Sequence, residues 1–249
     1  MESFIPIVEN RTITLPSSGK NIKIRPLLIR EEKILLMVKD SENNSEWFDA
    51  IEQVVENCIV SDINLKELIW LDFSYVYLQL RKISVGETCN MSLRCDNTEF
   101  KQGEEVIKCL GVEKPTIESF HIDNITKIIN NDKKKSKIVM VTKELGVELK
   151  YTTTEYIKTS MADKSNKLDN YNYVASHIVA ILKGEERFSD LNSVQINDFI
   201  DNLQKDQFKK LLEWFNHEPV LVIEIKWKCP HCKKDNVVKE VNILDFFAL

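Results

Sequence analysis

The run Leu221-Val222-Ile223-Glu224-Ile225-Lys226-Trp227-Lys228, then Cys229-Pro230-His231-Cys232, then Lys233-Lys234-Asp235-Asn236 and Val237 to Ile243, decides how this chain is read. Leu221, Ile223, Ile225 and Trp227 alternate with Val222, Glu224, Lys226 and Lys228, the period of a half-buried strand. Lys233 to Asn236 is a polar turn, and the run after it alternates again, so the two runs form a hairpin bent at a C-x-x-C. Such a bend has three readings. A redox dithiol needs its first cysteine at a helix N-terminus, where the dipole lowers the thiol pKa, and most of its fold after the motif. Only 17 residues follow Cys232, and they alternate like a strand, so this reading fails. A zinc knuckle needs further ligands from elsewhere. A hairpin packed by its strands alone needs none, and these last two readings stay open.

The remaining cysteines are 58, 89, 95 and 109. From Gly86 the period switches to two, with Cys89, Met91, Leu93 and Cys95 on one face and Asn90, Ser92 and Arg94 on the other. At ~3.3 Å per residue Cys89 and Cys95 stand roughly 20 Å apart and cannot share a metal. Cys95, beside the Asp96-Asn97 turn, can join Cys229 and Cys232 around one structural zinc, and His231 is a poorly placed fourth donor. Cys58 and Cys109 read as small buried apolar groups. Six cysteines in 249 residues are too few for a disulfide scaffold and are expected to be reduced.

Working outward, Thr12 to Leu15 and Asn21 to Arg25 flank the turn Pro16 to Lys20 and predict a hairpin. Arg30 to Val38 predicts a helix with Glu31-Glu32 in its first turn. Phe48, Ile51, Val55, Cys58 and Ile59 predict a second helix capped by Ser45. Ile69, Phe73, Val76, Tyr77, Leu80 and Ile83 predict a third, with an Asn64–Glu67 capping box upstream. Glu104 to Ile107 is the expected partner of the Cys89–Cys95 strand. Lys137 to Lys143 and Val147 to Thr153 predict a hairpin around Gly146. Val174, Ile178, Ile181 and Leu182 continue a polar helix, and Asn192-Ser193 open another that runs through Phe208 and Phe215 to Pro219. The order predicts an α+β fold: helices packed against antiparallel hairpins, with a C-terminal zinc-ribbon-like hairpin. It reads as a single domain over 1–249, with sub-regions 1–110, 111–218 and 219–249, whose terminal strands share one sheet.

Hydrophobic residues make up 43% and charged residues 29%, with a net charge of −5. That balance speaks against nucleic acid as a partner. Lys133-Lys134-Lys135 with Lys137 reads as a solvated loop. No run approaches the ~20 apolar residues of a membrane span, and Glu2 stands where a secretory signal needs a basic flank, so no membrane insertion is expected. The phosphate-loop, dinucleotide, H-E-x-x-H and G-x-S-x-G patterns are missing, and histidines 121, 177, 217 and 231 are scattered; a non-enzymatic protein without a small-molecule substrate is expected.

Leu15-Pro16-Ser17-Ser18-Gly19, then Ile24-Arg25-Pro26-Leu27, then Arg30-Glu31-Glu32-Lys33-Ile34-Leu35-Leu36 resemble the N-terminal signature of the baseplate hub proteins of T-even-like phages. The order of the family, a helix pair, a strand ending in C-x-x-C and a second C-x-x-C near the C-terminus, is followed from about residue 12 to 243. One departure is Cys95-Asp96-Asn97-Thr98, where Thr98 stands in place of a cysteine, so a metal does not simply carry over. The resemblance implies a chaperone-like factor promoting assembly of the central hub of a contractile tail baseplate. Its partners would be other baseplate hub proteins, in the cytoplasm of the infected bacterial host. A structural hub subunit retained in the virion baseplate is the alternative, and a zinc-knuckle nucleic-acid-binding adaptor a second. An assembly factor must bind and release, which implies interfaces of ~1,200 Å² or less. The tail Leu244 to Leu249, with Phe246, Phe247 and Leu249, either tucks into the protein's own core or docks on a partner. The face around Arg25, Arg30 and Glu31 is the other expected contact, singled out by the resemblance.

Overall fold

The computed structural model describes residues 8–39, 41, 43–103, 105–130, 137–162 and 170–240; Lys133 to Lys135 and the tail from Val241, with Phe246, Phe247 and Leu249, lie outside them. Strands β1 (Arg11–Thr14) and β2 (Asn21–Ile24) form the expected hairpin, Thr12 opposite Lys23. Its turn is tied inward. Asp72, nearly fully buried, accepts the Ser17 backbone N–H at 3.0 Å and also the Ser17 hydroxyl. Helices α1 (Ile29–Val38), α2 (Asn44–Cys58) and α3 (Trp70–Ser84) follow. Asn43, not Ser45, caps α2, because its side chain accepts the Ser45 N–H and so satisfies a first-turn donor. Asn64 with Glu67 caps a separate 3-10 turn, Leu65–Glu67, rather than α3. The predicted stripes face each other: Phe48, Ile51, Val55 and Cys58 of α2 and Phe73, Val76, Tyr77 and Leu80 of α3 are buried in one core.

Arg25 and Glu31 hold this end together. Glu31 is fully buried; Arg25 reaches its two carboxylate oxygens at 3.0 and 3.3 Å and donates to the Asn57 carbonyl at 2.7 Å. Arg30 Nε adds a contact at 2.7 Å and the Leu28 N–H one at 2.8 Å. One carboxylate thus joins the end of β2, the start of α1 and the end of α2. Burial alone would raise its pKa; the two guanidiniums and the Leu28 N–H outweigh that and hold it at about 2.

Next come β3 (Thr88–Leu93), β4 (Glu99–Gln102), β5 (Glu105–Lys108), α4 (Leu110–Glu113), β6 (Thr116–His121), α5 (Ile122–Ile125) and β7 (Thr126–Ile129). β3 does not pair with Glu105–Ile107, the described part of the segment expected as its partner. β4 and β5 pair with each other, and β3 pairs with β6, Cys89 opposite Phe120. The β4–β5 hairpin is therefore inserted between the two strands of a ribbon.

Next come β8 (Ile138–Met140), β9 (Leu145–Leu149), α6 (Thr154–Ala162), α7 (Asn170–His177), β10 (Ile178–Lys183), β11 (Glu186–Phe188), α8 (Ser193–Asp201) and α9 (Lys205–Phe215); β8, β9, α7, β10, α8 and α9 build a second core, α6 packs Ile157 on the first, and β11 is exposed. The sheet order is β11-β10-β9-β8. Gly146 lies inside β9 opposite Met140, so the turn falls before it. Ile178, Ile181 and Leu182 are strand, not helix: Ile178 to Leu182 is an unbroken apolar run, which fits a buried strand as well as a helix. Asn192 does cap α8, in a capping box with Gln195. β12 (Val220–Lys228) then returns to the first core, pairing with β7 on one side and β13 (Asp235–Glu240) on the other. The terminal strands do not share a sheet, since β1–β2 stand alone and the last sheet is β13-β12-β7. Every strand pairing among the described residues is antiparallel, and the class is α+β. No helix among them is long and apolar enough to cross a membrane.

His177 ends α7 inside the second core, ringed by Tyr156, Tyr173 and Phe215 at 4.5 to 5.3 Å between ring centres. Its Nδ1 lies 2.6 Å from the Tyr173 carbonyl and so carries the proton, leaving Nε2 buried without a hydrogen bond. Burial, with Lys150 adding to it, pushes the imidazole down to about 4. The unfolded chain, with an imidazole near 6.5, binds the extra proton first. Stability is therefore full above pH 6.5 and falls, by on the order of 3 kcal/mol, as pH drops to 4. Glu31, depressed from 4.5 to about 2, loses its contribution between those values. Urea unfolding across pH should show both limbs. His177→Phe should flatten the upper limb and leave the lower; an unchanged upper limb would rule His177 out as its source.

Candidate metal centre

The alternation of β3 carries on past Leu93 to bury Cys95. The backbone then leaves as the β4–β5 hairpin, turning at Gly103 with φ 70°, and comes back to Cys109. Two hydrogen bonds close the base of this excursion: Cys95 N–H to the Gly111 carbonyl at 2.9 Å and Cys109 N–H to the Thr98 carbonyl at 3.1 Å. At the other end of the chain β12 runs into Cys229, whose N–H meets the Lys234 carbonyl at 2.9 Å. Lys233 completes that tight return with a left-handed φ of 61°.

These two bends face one another. The sulfurs of Cys95, Cys109, Cys229 and Cys232 lie within 4.8 Å of each other, three of the residues buried and Cys232 half-buried. Cys95 and Cys232 are 3.6 Å apart, as are Cys109 and Cys229. Four thiolates bound tetrahedrally at ~2.3 Å stand about 3.8 Å from one another. The cluster could therefore hold a metal ion. Its surroundings suit thiolates: the backbone N–H two residues on is aimed at the sulfur in three cases, Asn97 to Cys95, Gly111 to Cys109 and Lys234 to Cys232. Burial nevertheless pushes Cys109 up to about 12 and raises Cys95. Burial would also raise Cys232, but the Lys234 N–H, Asn97 and the adjacent thiols outweigh it and hold it at about 6. Loading a cation here would release protons from the buried thiols.

The structure thus brings together the three cysteines singled out from sequence, Cys95, Cys229 and Cys232, and completes the set with Cys109. Cys109 is not merely a small apolar group, and exposed His231 takes no part in the cluster. A signal for Cys109 was present. Glu99–Gln102 and Glu105–Lys108 form a hairpin of their own, and closing a hairpin brings its flanking residues side by side. Cys89 lies apart on β3, near the Phe120 carbonyl. Arg25 and Glu31 form the internal ion pair described above, with Arg30 alone of the three largely exposed.

Gly111 shows how tightly the thiols are enclosed. A Cβ at this position would sit 2.8 Å from Cys229 Sγ and 3.1 Å from Cys95 Cβ. Gly111→Ala should weaken metal affinity by the ~10–100-fold typical of lost outer-shell support, and Cys109→Ser by more. Competition with a metallochromic chelator measures both; Cys109→Ser binding as tightly as the parent would exclude the four-thiol arrangement.

Among protein-family models, the chain matches the one described as T4 bacteriophage base plate protein, over residues 8–248. Comparison with curated proteins and with solved structures returns no match. The family match spans both cores and both cysteine bends, and the chain belongs to the T4 bacteriophage base plate protein family.

Proposed function

We propose that this protein is a non-enzymatic assembly factor for the central hub of a contractile phage tail baseplate, and that its four cysteines hold one structural zinc ion. The observation that carries the first part is the family match across residues 8–248. The length and the closing C-x-x-C add a resemblance to the T-even baseplate hub assembly catalyst, in which catalysis means promoting assembly. On this reading the chain binds hub proteins in the infected cell's cytoplasm, keeps them from wrong contacts, and leaves before the particle is finished.

The zinc reading rests on donor chemistry. Thiolates are soft ligands that select zinc or iron–sulfur chemistry over calcium or magnesium, and a closed set of four protein donors leaves no position for a substrate. The ion would clamp the β4–β5 hairpin to the C-terminal hairpin.

Two measurements test the proposal. A tagged chain drawn from infected cells should carry hub proteins with it, while mass spectrometry of purified particles should find the chain missing. Stoichiometric presence in particles would make it a structural hub subunit instead. Elemental analysis of the purified protein should give about one zinc per chain, and a strong chelator should lower the thermal midpoint by many degrees. A metal-free protein with an unshifted midpoint would leave the cysteines as a packed cluster only.

A further inference from the structure

Helix α1 is apolar on two sides. Leu35 and Ile34 face the core, yet Ile29 is 66% exposed, Leu36 50% and Met37 85%. Positions 29, 36 and 37 fall on one side of a helix, with Lys33 between them. Met37 also borders a groove of about 360 Å³ between α1 and α2, walled by Ile34, Val38 and Ala50 with Glu46 and Asp49 on its far rim. The helix forming that rim has a one-sided charge. Glu46, Asp49, Glu52 and Glu56 are its ionisable acids and it carries no lysine or arginine. Glu46, Asp49, Gln53 and Glu56 are exposed along one side of it at three- and four-residue steps, with exposed Asn57 beside the last. Among the described residues Lys158 of α6 pairs with two of these carboxylates, Asp49 at 3.0 Å and Glu52 at 2.6 Å; Glu46 accepts hydrogen bonds from Ser41 and Asn43, and no salt bridge among those residues reaches Glu46 or Glu56.

An apolar groove with an anionic wall selects its occupant. An anionic membrane surface would be repelled by the acids, and a purely apolar segment would leave them unanswered. We propose that the α1–α2 groove docks a basic amphipathic helix of a partner protein. The apolar side of that helix would seat on Met37, with Ile34, Val38 and Ala50 behind it, and its lysines or arginines would lie along Glu46, Asp49 and Glu56. The identity of the partner as a baseplate protein rests on the assembly reading; the groove and the chemistry of what fits it do not.

The test uses the full-length protein and a labelled synthetic helix of about 14 residues, four turns, with leucine at i, i+3, i+4 and i+7 and lysine elsewhere. Fluorescence anisotropy should show saturable one-to-one binding that weakens as salt rises. Met37→Asp, at an exposed site, and Gln53→Lys, which puts a cation on the acidic lane without touching the Asn43 cap, should each weaken binding by about tenfold or more. Glu213→Lys, the same kind of charge change on distant α9, should leave it unchanged, and a peptide with glutamate in place of lysine should not bind. Circular dichroism confirms that the variants fold. Equal binding of the two peptides, or equal effects of Gln53→Lys and Glu213→Lys, would overturn the proposal. So would flotation of the protein with anionic vesicles, or a dimer that Met37→Asp dissolves, since the face would then belong to lipid or to a second copy. Peptide binding with no hub protein recovered from infected cells would keep the groove and sink the assembly reading; the reverse would do the opposite.

Discussion

Four thiols meeting at one point is the constraint on which the C-terminal half of the first core depends. Cys95 and Cys232 are 137 residues apart in sequence, Cys109 and Cys229 are 120, and each pair closes to 3.6 Å. Contacts of that separation are the most expensive a chain makes, because the loop between them must be closed before anything is gained. β12 helps by pairing with β7, which brings the chain back from its second core to the first. The thiols then fix the last hairpin against the β4–β5 excursion, with the ion pair of Lys234 and Asp96 spanning the outside at 2.7 Å.

A second device works at the other end on different chemistry. Glu31 is buried and satisfied by Arg25, Arg30 and a backbone N–H at once. Removing one partner of such a group typically costs ~3–5 kcal/mol, because the survivor stays buried and uncompensated. The Arg25-Pro26-Leu27 and Arg30-Glu31 signature is thus explained by internal architecture: it joins a hairpin to two helices. What remains outside is the far face of α1, where apolar side chains meet water.

Much of the fold was legible because periodicity reports burial directly. The stripes of α2 and α3 and the alternation of β12 are the core faces seen in three dimensions. Legibility failed where local pattern is silent about distant pairing. The β3 strand was expected to pair with the next extended segment, but a hairpin interrupts it and the partner, β6, comes afterwards. Ile178 to Leu182 could not be resolved by period, since an unbroken apolar run fits both a helix and a buried strand. Within the site, Cys229 and Cys232 announced themselves by spacing and Cys95 by its place beside a turn. Cys109 did not, because the usual two-residue gap between ligands is stretched here to residues 96–108. Thr98, sitting where a cysteine was expected, instead offers its carbonyl to the Cys109 N–H.

That stretched gap changes what evolution is free to vary. The cluster senses only the two ends of the excursion, held by the Cys95–Gly111 and Thr98–Cys109 hydrogen bonds, while Phe100 of β4 rests on the first core and only the turn around Gly103 stands clear of both. Lengthening such a loop is cheap, each doubling costing only about 0.6 kcal/mol in closure entropy. A longer turn at the β4–β5 tip could therefore be built without moving the four sulfurs beneath it, like a tool changed on a fixed handle.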